Sequence, residues 1–151
     1  MPEVYVGVGS NIEPARELQH AAAALGAAFG MLRCSDVFSS SAYGFSGPDF
    51  LNMVVRFVTD VGPDGVEAEL SSIEYGAGRQ RRRDRFRSRE LDLDLLLYGQ
   101  MVDASRRLPR DDLRRYPFVL GPLAELAPAL LHPLTGRSFA AEWAELVARN
   151  R

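Results

Sequence analysis

The 151-residue sequence contains no lysine, and all eighteen of its basic side chains are arginine. A Walker phosphate-binding loop and the lysine-bearing strand of protein kinases both require lysine, so both motifs are excluded. The turn Gly7-Val8-Gly9 follows a strand-like segment but lacks the third glycine of a dinucleotide-binding fingerprint. Any nucleotide that this chain binds must therefore be held by other groups.

Cysteine and long hydrophobic runs are equally scarce. Cys34 is the sole cysteine, which excludes a disulfide within the chain and suits a reducing cytoplasm. The sequence has no stretch of about 18 apolar residues, and its first residues lack the basic and apolar regions of a signal peptide. We therefore expect one domain over residues 1–151, located in the cytoplasm, without a membrane partner, and a monomer rather than an oligomer.

Positive charge is concentrated in one segment. Residues 79–89 contain seven arginines and one acid, whereas the remaining chain has eleven arginines and nineteen Asp and Glu, a balance of −8. Guanidinium groups bind phosphate oxygens in pairs and stay charged at any relevant pH, so the segment indicates a local anion site. A solvated basic loop and a nucleic-acid surface are the alternatives. Because the rest of the chain is acidic, we expect no nucleic-acid partner.

Hydrophobic periodicity predicts an α+β domain. Strands are predicted over 4–8, 32–41, 50–59 and 91–98, and helices over 14–29, 63–77, 118–126 and 139–149. The arginine-rich segment is predicted to be a loop, because it is polar and because Gly76 and Gly78 precede it. The order of elements predicts a ferredoxin-like split βαβ sandwich, an antiparallel sheet with helices packed on it.

Two carboxylates lie in the segment that most clearly reads as a strand. Because successive side chains of a strand point to opposite faces, Asp92 and Asp94 share one face, about 7 Å apart. The alternate leucines from Leu91 to Leu97 share the other face. Neighbouring like charges are unfavourable, so a cation is expected beside them. The carboxylates either pair with nearby arginines on a solvated face or bind a hard cation such as magnesium, which prefers oxygen ligands.

Six motifs stand together along the chain: Gly9-Ser10-Asn11, Pro48-Asp49-Phe50-Leu51-Asn52, Ile73-Glu74, Gly78-Arg79-Gln80-Arg81, Arg89-Glu90-Leu91-Asp92-Leu93-Asp94-Leu95, and Phe118-Val119-Leu120-Gly121-Pro122-Leu123. In this combination the sequence resembles the 6-hydroxymethyl-7,8-dihydropterin pyrophosphokinase family over nearly its whole length. The resemblance implies a ferredoxin-like fold and a place in folate biosynthesis. It also implies transfer of the pyrophosphoryl group of ATP to the pterin hydroxymethyl group, with release of AMP.

The resemblance also implies a role for each matching residue. Two magnesium ions that bridge the triphosphate of the co-substrate ATP would be bound by Asp92 and Asp94. The pterin would be bound by Phe45, Phe50, Asn52 and Phe118, with the rings of Phe50 and Phe118 on its two faces. Groups acting at the reacting centre would be Arg81 and Arg85. The nucleotide and its phosphates would be held by Glu74, Arg79 and Arg89.

One segment departs from the family pattern. Where many members carry Pro-His and later an arginine, this chain has Pro109-Arg110 and then Tyr116. We expect Arg110 to make the nucleotide contact, with Arg114 and Arg115 as alternatives. This departure and Arg87, at a position where a small residue is usual, leave a second function open. That alternative is a catalytically weakened paralogue that binds pterin or nucleotide as a regulatory or partner-binding module.

Overall fold

The computed structural model describes residues 1–40, 49–81 and 91–150, with residues 78–81 described by their backbone alone. The strands are Glu3–Ser10 (β1), Arg33–Cys34 (β2), Phe38–Ser40 (β3), Phe50–Val58 (β4) and Asp92–Tyr98 (β5). The helices are Pro14–Phe29 (α1), Pro63–Arg81 (α2), Asp112–Arg115 (α3), Pro117–Leu126 (α4) and Phe139–Arg149 (α5), with a short 3-10 helix at Ala104–Arg106. Over these ranges, no helix combines the length and the apolar character that a membrane crossing requires.

The strands form one antiparallel sheet in the order β2-β4-β1-β5, and β3 also pairs with β4. Helix α1 connects β1 to β2, two parallel strands with β4 inserted between them. Helix α2 connects β4 to β5, which run parallel with β1 between them. Two interleaved split βαβ units of this kind make the ferredoxin-like sandwich, so the predicted fold is confirmed.

Helices α1 and α2 cover one face of the sheet. The alternate valines of β1 point into this layer together with Met53, Val55 and Phe57 of β4, as the sequence pattern predicts. Phe29 of α1 stacks on Phe57 with the ring centroids 4.2 Å apart. Gly30 ends the helix with φ of 88°, a positive value that glycine adopts without strain.

A bulge in β5 changes which face its last residues occupy. In the pairing with β1, Val6 lies opposite Leu95 but Tyr5 lies opposite Leu97, so Leu96 is the extra residue. Leu95 packs in the α1/α2 layer, whereas Leu96 and Leu97 both pack in the opposite layer, against α4 and α5. The prediction that Leu97 shares a face with the preceding alternate leucines is therefore wrong. One extra residue shifts the alternation by one position.

The predicted strand over 32–41 is also wrong in part, because the chain forms two short strands there. Between them the Ser35 hydroxyl accepts a hydrogen bond from the Val54 N–H at 2.9 Å and donates to the Asp36 carbonyl oxygen at 2.8 Å. A side chain that bonds to backbone groups in this way competes with the ladder of a regular strand.

Helix α2 continues further than predicted, through Gly76 and Gly78 to Arg81. The loop prediction is therefore wrong for residues 79–81. Glycine inside a helix costs only about 1 kcal/mol relative to alanine. The packing of Ile73 and Ala77 against the core counteracts that cost along the same turns.

Candidate active site

A cleft of about 510 Å³ opens on the face of the sheet opposite α1 and α2. Its floor is formed by Gly7 and Gly9 of β1, Ser40 of β3, Phe50, Asn52 and Val54 of β4, and Asp92, Asp94 and Leu96 of β5. Its wall is formed by Arg110, Asp112, Tyr116, Phe118 and Val119. The cleft therefore brings together both predicted metal ligands, three of the predicted pterin residues and one predicted phosphate-binding arginine.

The sheet register explains how the floor is assembled. On β1, Gly9 pairs with Asn52 on one side and with Asp92 on the other. Since neighbouring strands lie about 4.8 Å apart, the backbones of Asn52 and Asp92 stand roughly 10 Å apart across a strand position without a side chain. The next row, with Gly7 at its centre, carries Asp94 on β5. The two glycines therefore leave an open floor between the amide and the carboxylates.

Arg110 lies beside the carboxylates. Its Nη2 is 3.3 Å from Asp94 Oδ1, and its Nε is 3.5 Å from Asp112 Oδ2. The Arg110 backbone N–H donates to the Leu96 carbonyl oxygen at 3.0 Å, which attaches the segment to β5. The Arg110 side chain is only 20% exposed, so its positive charge is held close to Asp94. The sequence predicts such a cation, because the neighbouring carboxylates of Asp92 and Asp94 repel each other. Asp112 is a cleft residue that the sequence patterns did not single out.

The donor set suits magnesium. Asp92 and Asp94 are half-buried on one face of β5 and offer carboxylate oxygens to the cleft. In the part of the chain that the structure describes, no group of three or more His, Cys, Asp or Glu could hold a metal ion. A site with two carboxylates suits a cation that takes its remaining ligands from water and substrate phosphates, which is the usual mode of magnesium.

The other side of the cleft is aromatic and amide-bearing. Asn52 Nδ2 donates to Ser40 Oγ at 2.9 Å and to the Phe38 carbonyl oxygen at 3.4 Å. Phe118 stacks on Tyr116, with ring centroids 5.1 Å apart and the planes inclined by 22°. Sequence reasoning missed Tyr116 and Ser40 as cleft residues. The Tyr116 ring two positions before Phe118 was a usable signal, whereas Ser40 required the pairing of β3 with β4.

Other predicted residues lie elsewhere. Glu74 Oε2 accepts a hydrogen bond of 2.7 Å from the Leu93 backbone N–H, so Glu74 stands beside β5 and is not among the residues lining the cleft. Arg79 and Arg81 are in the last turn of α2, where only the backbone is described. Phe45, Arg85 and Arg89 lie outside the described residues.

The chain is similar to a known protein family and to several curated proteins. The family described as 7,8-dihydro-6-hydroxymethylpterin-pyrophosphokinase (HPPK) matches residues 5–128. A 2-amino-4-hydroxy-6-hydroxymethyldihydropteridine pyrophosphokinase of Synechocystis sp. is 38% identical over 138 residues, covering 88% of this chain and 70% of the relative. One of Methylorubrum extorquens is also 38% identical, over 87% of this chain and 86% of its own.

A solved structure shares the fold. The crystal structure of a Plasmodium falciparum HPPK-DHPS triple mutant with pteroate superposes with a TM-score of 0.72 over 98% of this chain at 10% identity. This chain spans 44% of that longer one. The match over residues 5–128 and the curated relatives together establish that the chain belongs to the 7,8-dihydro-6-hydroxymethylpterin-pyrophosphokinase family.

Proposed function

We propose that this cleft transfers the pyrophosphoryl group of ATP to the hydroxymethyl group of 6-hydroxymethyl-7,8-dihydropterin and releases AMP, a reaction of folate biosynthesis. The observation that carries the proposal is the floor of the cleft. On one side of Gly9 lie the Asn52 amide and aromatic rings, which suit a flat heterocycle. On the other side lie the two carboxylates, which suit a metal-bound triphosphate. Both reactants can therefore lie in one cavity with the acceptor oxygen close to the phosphate chain.

Asp92 and Asp94 hold the metal in this proposal. Two magnesium ions coordinated there would neutralise the charge of the triphosphate and polarise the transferred group. Asp94 also forms an ion pair with Arg110 in the wall of the cleft. Arg110 would contact the phosphates that the metal ions bind. The two carboxylates therefore bind the metal ions in this proposal, and the arginine binds phosphate oxygens directly with its permanent positive charge.

The pterin lies on the β4 side of the cleft in this proposal. Phe118, supported from behind by Tyr116, offers a ring face, and Phe50 of β4 offers a second aromatic surface. A flat heterocycle gains from stacking, while one amide fixes its orientation. Asn52 is that amide, because its side chain lines the cleft and is held by two hydrogen bonds. The sequence resemblance assigns Phe45 to the same binding site.

The remaining assignments rest on the sequence resemblance. Arg81 and Arg85 act on the transferring group, and Arg79, Arg89 and Glu74 contact the nucleotide. We further propose that the chain works as a monomer in the cytoplasm, where the free thiol of Cys34 stays reduced. We propose no nucleic-acid partner, because the chain outside the arginine-rich segment is acidic. The alternative of a non-catalytic paralogue gains no support from the cleft, in which both carboxylates are in place.

The test is product analysis. The purified chain is incubated with ATP, magnesium and 6-hydroxymethyl-7,8-dihydropterin, and the nucleotides are separated by chromatography. AMP formed in step with pterin consumption, and abolished by EDTA, is the expected result. Formation of ADP would refute pyrophosphoryl transfer. Binding of both ligands without turnover would favour the paralogue.

A further inference from the structure

The Asn52 amide has its donor and acceptor ends in different surroundings. Asn52 as a residue is 9% exposed, and its Nδ2 donates to Ser40 Oγ and the Phe38 carbonyl oxygen. Within the described residues, no hydrogen bond to Asn52 Oδ1 is present. Among the described groups, the amide therefore uses its donor inside the protein, while its acceptor lies over Gly9 in the cleft that Asn52 lines.

Gly9 provides the space for that acceptor. A Cβ built at Gly9 would lie 2.9 Å from Asn52 Oδ1, closer than side-chain atoms normally approach. The same atom built at Gly7, which faces the same cleft from the same strand, would meet only Leu96 side-chain carbons, at 3.5 Å or more. Steric crowding of the amide oxygen is therefore specific to position 9.

We infer that Gly9 is a positioning residue for substrate recognition: its missing side chain allows Asn52 to present its carbonyl oxygen to an N–H donor of the bound heterocycle. The inference rests on the proposed function and adds the reason why position 9 has no side chain. The ligand edge that Asn52 contacts is a donor edge, such as the ring amide and amino group of a pterin. A heterocycle that offers only acceptors at this edge would leave the oxygen unpaired, and an unmade buried hydrogen bond is costly.

The variant Gly9→Ala tests the inference. The contact falls on the end of a side chain, so the fold accommodates the methyl group by shifting the Asn52 amide, and thermal unfolding stays close to that of the wild type. We expect the Kd and KM for the pterin to rise about tenfold, the effect of losing one hydrogen bond. The KM for ATP and the kcat at saturating pterin should stay within about twofold. The added methyl group displaces Asn52, and in the proposed function Asn52 contacts the pterin and neither ATP nor the transferred group.

Gly7→Ala is the matched control, with the same added methyl group on the same strand and in the same cleft. Its methyl group would meet only Leu96 side-chain carbons at ordinary contact distances and would not displace the Asn52 amide, so it should lower pterin affinity less than Gly9→Ala does. Equal losses in the two variants would mean that any added bulk on the cleft floor weakens binding, and would overturn the inference.

A double-mutant cycle separates positioning from general damage. In an Asn52→Ala background the added methyl has no amide oxygen to displace, so Gly9→Ala should cause no further loss of pterin affinity. Losses that add independently would overturn the inference. If Gly9→Ala does not fold, Ser40→Ala serves in its place, because it removes the acceptor that holds Nδ2. That variant should also lose pterin affinity alone and show no further loss in the Asn52→Ala background.

The two proposals fail in different ways. A wild-type chain that neither binds pterin nor releases AMP would refute the proposed function. A wild-type chain that does both, while Gly9→Ala matches Gly7→Ala, would refute only the positioning role of Gly9.

Discussion

Arg110 Nη2 lies 3.3 Å from Asp94 Oδ1, so a cation of the protein already contacts the carboxylate that we assign to the metal. Arg110 Nε is also 3.5 Å from Asp112 Oδ2. The guanidinium is mostly buried, and screening by solvent is weaker for such a pair than for an exposed one. The arginine therefore offsets part of the negative charge of the cleft. In the proposed function, the same guanidinium contacts the phosphates of ATP.

Replacing Arg110 with methionine should weaken binding of a magnesium-bound ATP analogue. The variant loses a charged donor, and Asp94 and Asp112 lose a described counter-charge, so we expect the Kd to rise about tenfold or more. Isothermal titration calorimetry measures the effect. Arg16→Met is the control, since Arg16 forms an exposed pair with Glu13 on the opposite face of the sheet and the variant should bind the analogue normally. Equal Kd values for both variants would place Arg110 outside the phosphate site.

Substituting either cleft carboxylate should abolish most turnover without unfolding the chain. Asp92→Asn and Asp94→Asn each remove charge that a metal needs, so kcat for AMP release should fall by two orders of magnitude or more. Thermal unfolding should change little, since both side chains are half-buried at a cleft. Asp60→Asn, in an exposed turn, is the control. Near-normal AMP release by both cleft variants would show that the metal assignment is wrong.

Removing a ring from the cleft should affect the pterin more than ATP. Phe118→Ala loses a stacking face worth about 1 kcal/mol beyond its buried area. Phe50→Ala should act in the same direction. Phe118→Leu keeps an apolar side chain without the ring face and should lose less affinity than Phe118→Ala. Calorimetry with each ligand measures the difference. An equal loss for pterin and ATP in a folded variant would contradict the stacking arrangement.

The sequence predicted the parts of the fold that depend on periodicity. Alternate valines in β1 and helical spacing after Pro14 each report one buried face, and burial is what stabilises these elements. The bulge at Leu96 was not predictable, because every residue from Leu95 to Leu97 is a leucine and each can be buried on either face. Which residue is extra depends on pairing with β1, a contact distant in sequence.

The site was predicted from its local motif and completed by the fold. Asp92 and Asp94 stand two residues apart, so strand geometry alone places them together. Asp112, Ser40 and Tyr116 reach the cleft only because the segments that carry them pack on the sheet. The role that we infer for Gly9 depends in the same way on a contact with the Asn52 side chain of the neighbouring strand. Contacts between strands and packed segments of this kind leave no short-range pattern.

Arg81 and Arg85 should affect the chemical step more than ATP binding. The sequence resemblance places them at the reacting centre, and interactions made only in the transition state lower kcat while leaving ground-state affinity largely unchanged. Single-turnover kinetics of Arg81→Ala and Arg85→Ala should therefore show a slower step with an almost unchanged Kd for ATP. Variants that keep the wild-type chemical rate but bind ATP weakly would indicate a phosphate-docking role only.

His132 should make folding stability depend on pH. It is 1% exposed, its Nδ1 accepts the Leu134 N–H at 3.1 Å, and burial is the main cause that lowers its pKa. Arg114 lowers the pKa further, while Glu142 opposes the shift. The unfolded chain takes up a proton near pH 6.5, whereas the folded chain resists it. The unfolded state therefore binds more protons below that pH, and stability should fall as the pH drops from about 7 to 5.

His132→Asn tests this origin of the pH dependence. An asparagine oxygen can accept the same backbone N–H groups that Nδ1 accepts, but it does not titrate. The variant should therefore lose much of the drop in unfolding temperature between pH 7 and pH 5.5, a range in which most carboxylates stay ionised. His20→Asn, at an exposed helix position, should keep the wild-type profile. If His132→Asn also kept it, the pH dependence would arise from other groups, and the buried imidazole would be a packing element alone.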